Sequence, residues 1–396
     1  MVRQVYGPPL TCQPTERVTR KGSVGPHIGW SFGTVHAWTK PRACVVPVAE
    51  GYRSCMSTDG RAGSGARVAV ITGASAGVGR ATSRALARRG WSLGLLARGQ
   101  KGLDATLAET ERLGVPATAV STDVGDAAAV EAAAETVERE LGPIDAWVNN
   151  AMTSIFGPFA EIPLEDVRRV TEVNYLGYVH GTRAALDRML PRDRGLIVQV
   201  GSALAFRGIP LQSAYCAAKH AIRGFDDAIR AELHHEHSNV RICEVHLPAV
   251  NTPQFRWVRS LLDREARPVP PIYQPEVAAE AIAWVLDHPR RSTWVGPSTV
   301  AAILAGAIAP GLLDRYLAIT GYRSQQTEQP ADRMGPDNLY APVETDAGAH
   351  GPFDARARER TLQVWLARRR PALVAAASVG AALAVVVGAR GRREAA

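Results

Sequence analysis

From residue 67 onward the chain alternates short apolar runs with longer segments of mixed polarity. Arg67-Val-Ala-Val-Ile-Thr72 reads as a buried strand, followed by a glycine turn and a helix through Arg89. Comparable strands are expected near 92–97, 116–121, 144–149, 194–201, 240–246 and 292–296, each separated by enough residues for a crossover helix. Parallel strands need such crossovers, and right-handed crossovers put helices on both faces of the sheet. The pattern therefore predicts an α/β fold, a doubly wound, Rossmann-like parallel sheet forming a single catalytic domain. No internal repeat is visible.

Charge separates this middle from the two ends. The net charge over 396 residues is +8, yet 1–66 hold 8 basic and 3 acidic residues, and 368–396 hold six arginines against Glu394. What remains, 67–367, is close to neutral, so no nucleic-acid-binding face is expected on the domain. Cys12, Cys44, Cys55, Cys216 and Cys243 form neither a disulfide framework nor a CxxC pair, which fits a reducing compartment and no metal site. His234, His235 and His237 read as the solvated C-terminus of a helix rather than as metal ligands. The longest apolar stretch near the N-terminus, 43–49, is broken by Pro47 and makes no signal peptide.

Residues 1–60 lack any period able to bury a face and are expected to be a disordered extension, with Met56 an alternative start. The catalytic domain is assigned to 61–322, a polar linker or surface wrap to 323–370, a candidate transmembrane helix to 371–389 and a basic tail to 390–396. Residues 372–389 contain no charge and are framed by Arg368, Arg369 and Arg370 before and Arg390, Arg392 and Arg393 after. As a helix they would measure about 27 Å, just under the ~30 Å hydrocarbon core. Membrane attachment through this segment, or packing of an Ala-rich helix on the protein or on an anionic surface, are both open to it. With no earlier membrane signal, the catalytic domain is expected on the cytoplasmic side.

Chemistry starts in the first turn, Thr72-Gly73-Ala74-Ser75-Ala76-Gly77-Val78-Gly79, placed directly between a strand and a helix. Glycines there allow a pyrophosphate close to a helix N-terminus, whose free N–H groups and dipole favour an anion. The second strand ends Leu95-Leu96-Ala97-Arg98, with a guanidinium where an acidic residue would hold the 2′-hydroxyl of NAD. Arg98 suits a 2′-phosphate, so NADP is favoured over NAD. Further on, Tyr215 and Lys219 lie four apart on one helix face, downstream of Ser202 at a strand end. A lysine and a nicotinamide cation beside a phenol are expected to lower its pKa, making Tyr215 an acid/base while Ser202 holds the substrate oxygen.

Together these residues resemble the short-chain dehydrogenase/reductase family, in its Thr-Gly-x-x-x-Gly-x-Gly and Tyr-x-x-x-Lys form, over roughly 67–300. The resemblance implies a catalytic set of Asn174, Ser202, Tyr215 and Lys219, in which Asn174 holds a water in the proton relay from Lys219. It implies cofactor contacts from Thr72, Gly73, Ser75, Gly77, Val78 and Gly79 of the turn, from Arg98, from Asp123 and Val124, and from Asn150 and Ala151. Tyr215, Lys219, Pro248, Val250 and Thr252 complete that list. Asn149-Asn150-Ala151 resembles the family's Asn-Asn-Ala-Gly motif, and Met152 and Ala249 stand where the family has glycine. The implied activity is NAD(P)-dependent interconversion of a hydroxyl and a carbonyl, in a homo-oligomer.

Substrate choice is expected to reside in 253–275, where Phe255, Trp257, Val258, Leu261, Leu262, Pro268, Pro270, Pro271 and Tyr273 suggest a lid over a hydrophobic alcohol or carbonyl compound. Two other readings use the same fold: a non-catalytic nucleotide-binding sensor or scaffold, which has no need of the four catalytic residues, and an epimerase or dehydratase, which would carry a differently spaced turn.

Overall fold

The structure, a computed structural model, describes residues 66–332 and 335–361. The expected N-terminal extension, the apolar segment 371–389 and the basic tail lie outside the described residues. Seven parallel strands form the central sheet: β1 (Val68–Thr72), β2 (Ser92–Ala97), β3 (Ala117–Ser121), β4 (Ile144–Asn149), β5 (Leu196–Ser202), β6 (Arg241–Leu247) and β7 (Ser292–Trp294). Their order across the sheet is β7-β6-β5-β4-β1-β2-β3, so the chain winds outward from β1 to β3, then returns and winds the other way from β4. The reversal opens a crevice at the carboxyl ends of β1 and β4. Every residue of β1 and β2 is buried, as strands covered on both faces must be.

Helices α1 (Gly77–Ala87), α2 (Gln100–Arg112) and α7 (Pro275–Asp287) cover one face. There Leu86, Leu103, Ile282 and Val285 pack against Ile71, Leu93 and Val245. Helices α3 (Ala127–Leu141), α5 (Gly177–Met189) and α6 (Ser213–His235) cover the other, where Val130, Val137, Ala185 and Met189 meet Val70, Trp147 and Ile197. Asp126 starts α3 by accepting hydrogen bonds from the Ala128 and Ala129 amides at 2.9 and 3.2 Å. Helix α4 (Leu164–Thr171) runs into α5 through a π-helical turn at Glu172–Leu176.

Beyond the sheet, α8 (Pro297–Ile308) and α9 (Pro310–Ser324) form a helical pair. Gln326–Pro330 then returns as a strand antiparallel to Arg264–Ala266, and Ala357–Arg358 pairs with Ile272–Tyr273. Among the described residues no helix is long and apolar enough to cross a membrane.

Candidate active site

Crowding holds the glycine turn in shape. Gly73 and Gly77 adopt φ of +68° and +56°, a region that side chains disfavour. A Cβ on Gly79 would lie 2.1 Å from the Gly73 carbonyl oxygen. The turn is also laced to the end of β4: the Asn150 and Ala151 amides donate to Thr72 Oγ1 at 2.9 and 3.0 Å, and Asn150 Nδ2 donates to the Thr72 carbonyl at 2.9 Å. Helix α1 begins in the crevice with no side-chain cap on its first-turn N–H groups, the arrangement that favours an anion.

A cavity of about 690 Å³ opens from this point. Gly73, Ser75, Gly77, Val78, Arg98, Asp123, Val124, Asn150, Ala151, Ser202, Tyr215, Lys219, Pro248, Val250 and Thr252 all line it, as do Met152 and Ala249. Thr72, Gly79 and Asn174 do not line it. The chamber beyond Tyr215 is walled by Phe156, Ile209, Phe255, Trp257, Val269, Leu313 and Leu317. Of the expected lid, Val258 and Leu262 instead pack against Phe156 and Leu211, and Tyr273 is core.

Ser202 ends β5, and its Oγ accepts from the Leu204 amide at 3.1 Å. Tyr215 and Lys219 enter from the first turns of α6. Burial pushes the Tyr215 phenol above its ordinary range and outweighs the opposing hydrogen bond with Ser202. Burial likewise pulls Lys219 down to about 7. The expected lowering of the tyrosine by the lysine is thus not what this arrangement produces. Lys219 Nζ lies 5.7 Å from the Tyr215 ring centroid and carries only part of a charge near neutrality. Its partners are Tyr178 Oη and the Val200 carbonyl, each at 2.8 Å, and Tyr178 Oη itself donates to Val200 at 3.0 Å.

Asn174 sits in the π turn with its carboxamide committed to Thr153, accepting from its N–H at 2.9 Å and donating to its carbonyl at 2.8 Å. One N–H and one lone pair of its carboxamide are thereby fixed on Thr153, which sets the orientation of the side chain.

Part of the segment expected to be a polar linker or surface wrap lies along the mouth of the crevice. Arg98 donates to the carbonyls of Asn338, Leu339 and Tyr340, and Arg169 donates to Leu339 and to Asp123. Glu344 accepts from the Gln100 and Lys101 amides at the start of α2, each at 3.3 Å. Asp346 pairs with Arg80, and the Gly77 amide donates to Gly348 O at 3.2 Å. Asn338, Pro342, Val343 and Thr345 line the cavity. The sequence suggests this strap as a wrap over 323–370 but, with no period, not where it lies, and Tyr178 reads as an ordinary core aromatic.

Comparison with known proteins places this geometry. The family model described as short chain dehydrogenase matches residues 67–261. An uncharacterized oxidoreductase, YxnA of Bacillus subtilis, is 35% identical over 317 residues, 79% of this chain and 88% of the relative. The 3-dehydrosphinganine reductase of Danio rerio is 32% identical over 197 residues, 48% of this chain and 58% of the relative. Among solved structures, a short-chain dehydrogenase from Streptomyces avermitilis is similar at 26% identity and a TM-score of 0.54, over 66% of this chain and 96% of that one. A short-chain dehydrogenase/reductase from Burkholderia phymatum, in complex with NAD, shares the fold at 23% identity and a TM-score of 0.57, over 63% of this chain and 95% of that one. With an oxidoreductase relative matched along most of both chains and the family model covering the crevice and the Tyr215 helix, the chain belongs to the short-chain dehydrogenase/reductase family.

Proposed function

We propose that this oxidoreductase reduces the carbonyl of an apolar substrate, or oxidises the matching alcohol, with NADP preferred over NAD. The observation that carries the reading is the convergence of Ser202, Tyr215 and Lys219 where the dinucleotide crevice meets an apolar chamber. The first turn of α1, which has no side-chain cap and whose Gly77 amide now donates to the Gly348 carbonyl, and the close approach of Gly73 and Gly79 fit a pyrophosphate, and a bound nicotinamide would supply or accept the hydride. Asp123, Val124, Asn150, Ala151, Pro248, Val250 and Thr252 would line its path. Thr72 and Gly79 would fix the turn.

On the protein side, Ser202 Oγ orients the substrate oxygen. Tyr215, kept protonated by burial, delivers the proton as that oxygen gains charge. Lys219 and Tyr178 stand behind it as a buried hydrogen-bonded pair. Preference for NADP rests on Arg98, with no acidic residue at the end of β2. A 2′-phosphate would share Arg98 with the strap carbonyls and compete with Glu344 for the α2 amides. Self-association through the helices that carry Asn174 and Tyr215 belongs to the same reading.

The test is NADPH oxidation against a panel of aliphatic and aryl ketones and aldehydes. Wild type should turn over apolar members, and Tyr215→Phe should bind NADPH normally while losing about 10²–10⁴ in kcat. Undiminished turnover by Tyr215→Phe would remove Tyr215 from the chemistry.

A further inference from the structure

Helices α8 and α9 supply part of the cavity lining, and both also carry exposed side chains. No residue from Ser292 to Leu313 is charged, a run that includes all of α8 and the joint at Ala309–Pro310. Thr299, Ala302, Leu313 and Leu317 turn toward the cavity. Ile308 and Leu312, on either side of the joint, are 81% and 70% exposed, and Ile319 on α9 is 81% exposed. Single exposed apolar side chains are ordinary, but large ones spread over the joint and along α9 of one helical pair mark an interaction surface.

Three features on the page specify what that surface meets. Helices of 12 and 15 residues rise only about 18 and 22 Å, short of the ~30 Å hydrocarbon core, so they can lie in a leaflet and not span it. Exposed Arg315, Tyr316, Tyr322 and Arg323 follow Leu312 along α9 at helical spacing with Ile319, a mix of apolar, aromatic and basic side chains that suits the boundary between acyl chains and anionic headgroups. Nearby Asp314 is neutralised by Arg207. The cavity also reaches this helical pair, because Tyr316 both lines it and is exposed.

We propose that the exposed side chains of α8 and α9 insert into the leaflet of a lipid bilayer bearing anionic headgroups, so that the apolar substrate enters the chamber from the membrane. The entry route rests on the apolar-substrate reading above; the docking does not.

The full chain should be tested by hydrogen exchange, with and without vesicles of phosphatidylcholine and phosphatidylserine in a 4:1 ratio, following peptides that cover 304–319. This readout is local, so binding through 372–389 cannot imitate it. Vesicles should slow exchange there at least about fivefold in wild type. In Ile308→Glu/Ile319→Glu the slowing should vanish, with the thermal midpoint and the NADPH-induced thermal shift retained. Exchange over 304–319 that ignores vesicles overturns the proposal whether or not the protein floats with them. So does a variant that loses mass in sedimentation but keeps the vesicle effect, which would give the face to a second copy of the chain. No turnover is measured, so failure here leaves the reductase reading intact, and a protein inactive on every ketone could still pass.

Discussion

A lysine stripped of water is the most consequential single group in the site. Lys219 is 3% exposed, and burial pulls it down to about 7, whereas an unfolded lysine titrates near ~10.4. Between those values the unfolded chain binds more protons than the folded one, so the contribution of Lys219 to stability rises with pH and its full penalty is felt below about 7. Cys216 and Cys243, pushed up to about 11 by burial, work in the opposite direction once the pH passes the ordinary thiol range near ~8.5. From about pH 7 to 8.5 Lys219 should add up to ~2 kcal/mol, opposed by His350, whose pKa is raised by Glu276 and Asp354 against its burial and whose stabilisation fades as pH rises. Urea midpoints of the cofactor-free protein should rise across that window, and Lys219→Met should flatten the rise. Parallel curves for the two proteins would show that Lys219 is charged in the fold throughout. Tyr178 is what lets a partly neutral lysine persist there, because it offers an uncharged oxygen instead of a carboxylate.

At the scale of elements, legibility followed hydrophobic period. The main strands are readable because buried parallel strands must be continuous apolar runs, as Val68–Thr72 and Leu93–Ala97 are. The Tyr215–Lys219 face and the glycine turn are readable because their spacing is set by local backbone geometry. The strap is a different case. Its ordering comes from partners up to 266 residues away, such as Arg80 for Asp346, and no local pattern announces such contacts. Asn251 is its main clasp, donating to Asp354 at 2.8 Å and accepting from the Phe353 amide at 3.0 Å, with Gly351 pressed against the same backbone. A Cβ on Gly351 would lie 2.4 Å from the Thr252 carbonyl oxygen and 2.6 Å from Asn251 Oδ1. Gly351→Ala should therefore lift this end of the strap at a cost of about 1–3 kcal/mol. Faster hydrogen exchange over 346–358, with weaker binding of both NADPH and NADH, is the expected result. Unchanged exchange in that segment would mean that the clasp is looser than its contacts imply.

For the molecule as a whole, the strap makes Arg98 ambiguous, and ligand-linked stability separates its two roles. A dinucleotide that binds only the folded state adds about 2.7 kcal/mol at a concentration of 100 Kd, which in a domain of this size raises the thermal midpoint by about 4–5 °C. If Arg98 meets a 2′-phosphate, NADPH should give that shift at a lower concentration than NADH. Arg98 also holds the carbonyls of Asn338, Leu339 and Tyr340, so Arg98→Ala will loosen the strap and weaken both dinucleotides. The size of the loss is thus uninformative, and the difference between the two cofactors carries the answer. Gly351→Ala supplies the reference, since it disturbs the far end of the strap and leaves the guanidinium in place. Arg98→Ala should cost NADPH at least about tenfold more affinity than NADH, whereas Gly351→Ala should cost the two alike. Equal losses in both variants would assign Arg98 to the strap alone and return the choice between NADP and NAD to the α2 amides that Glu344 now occupies.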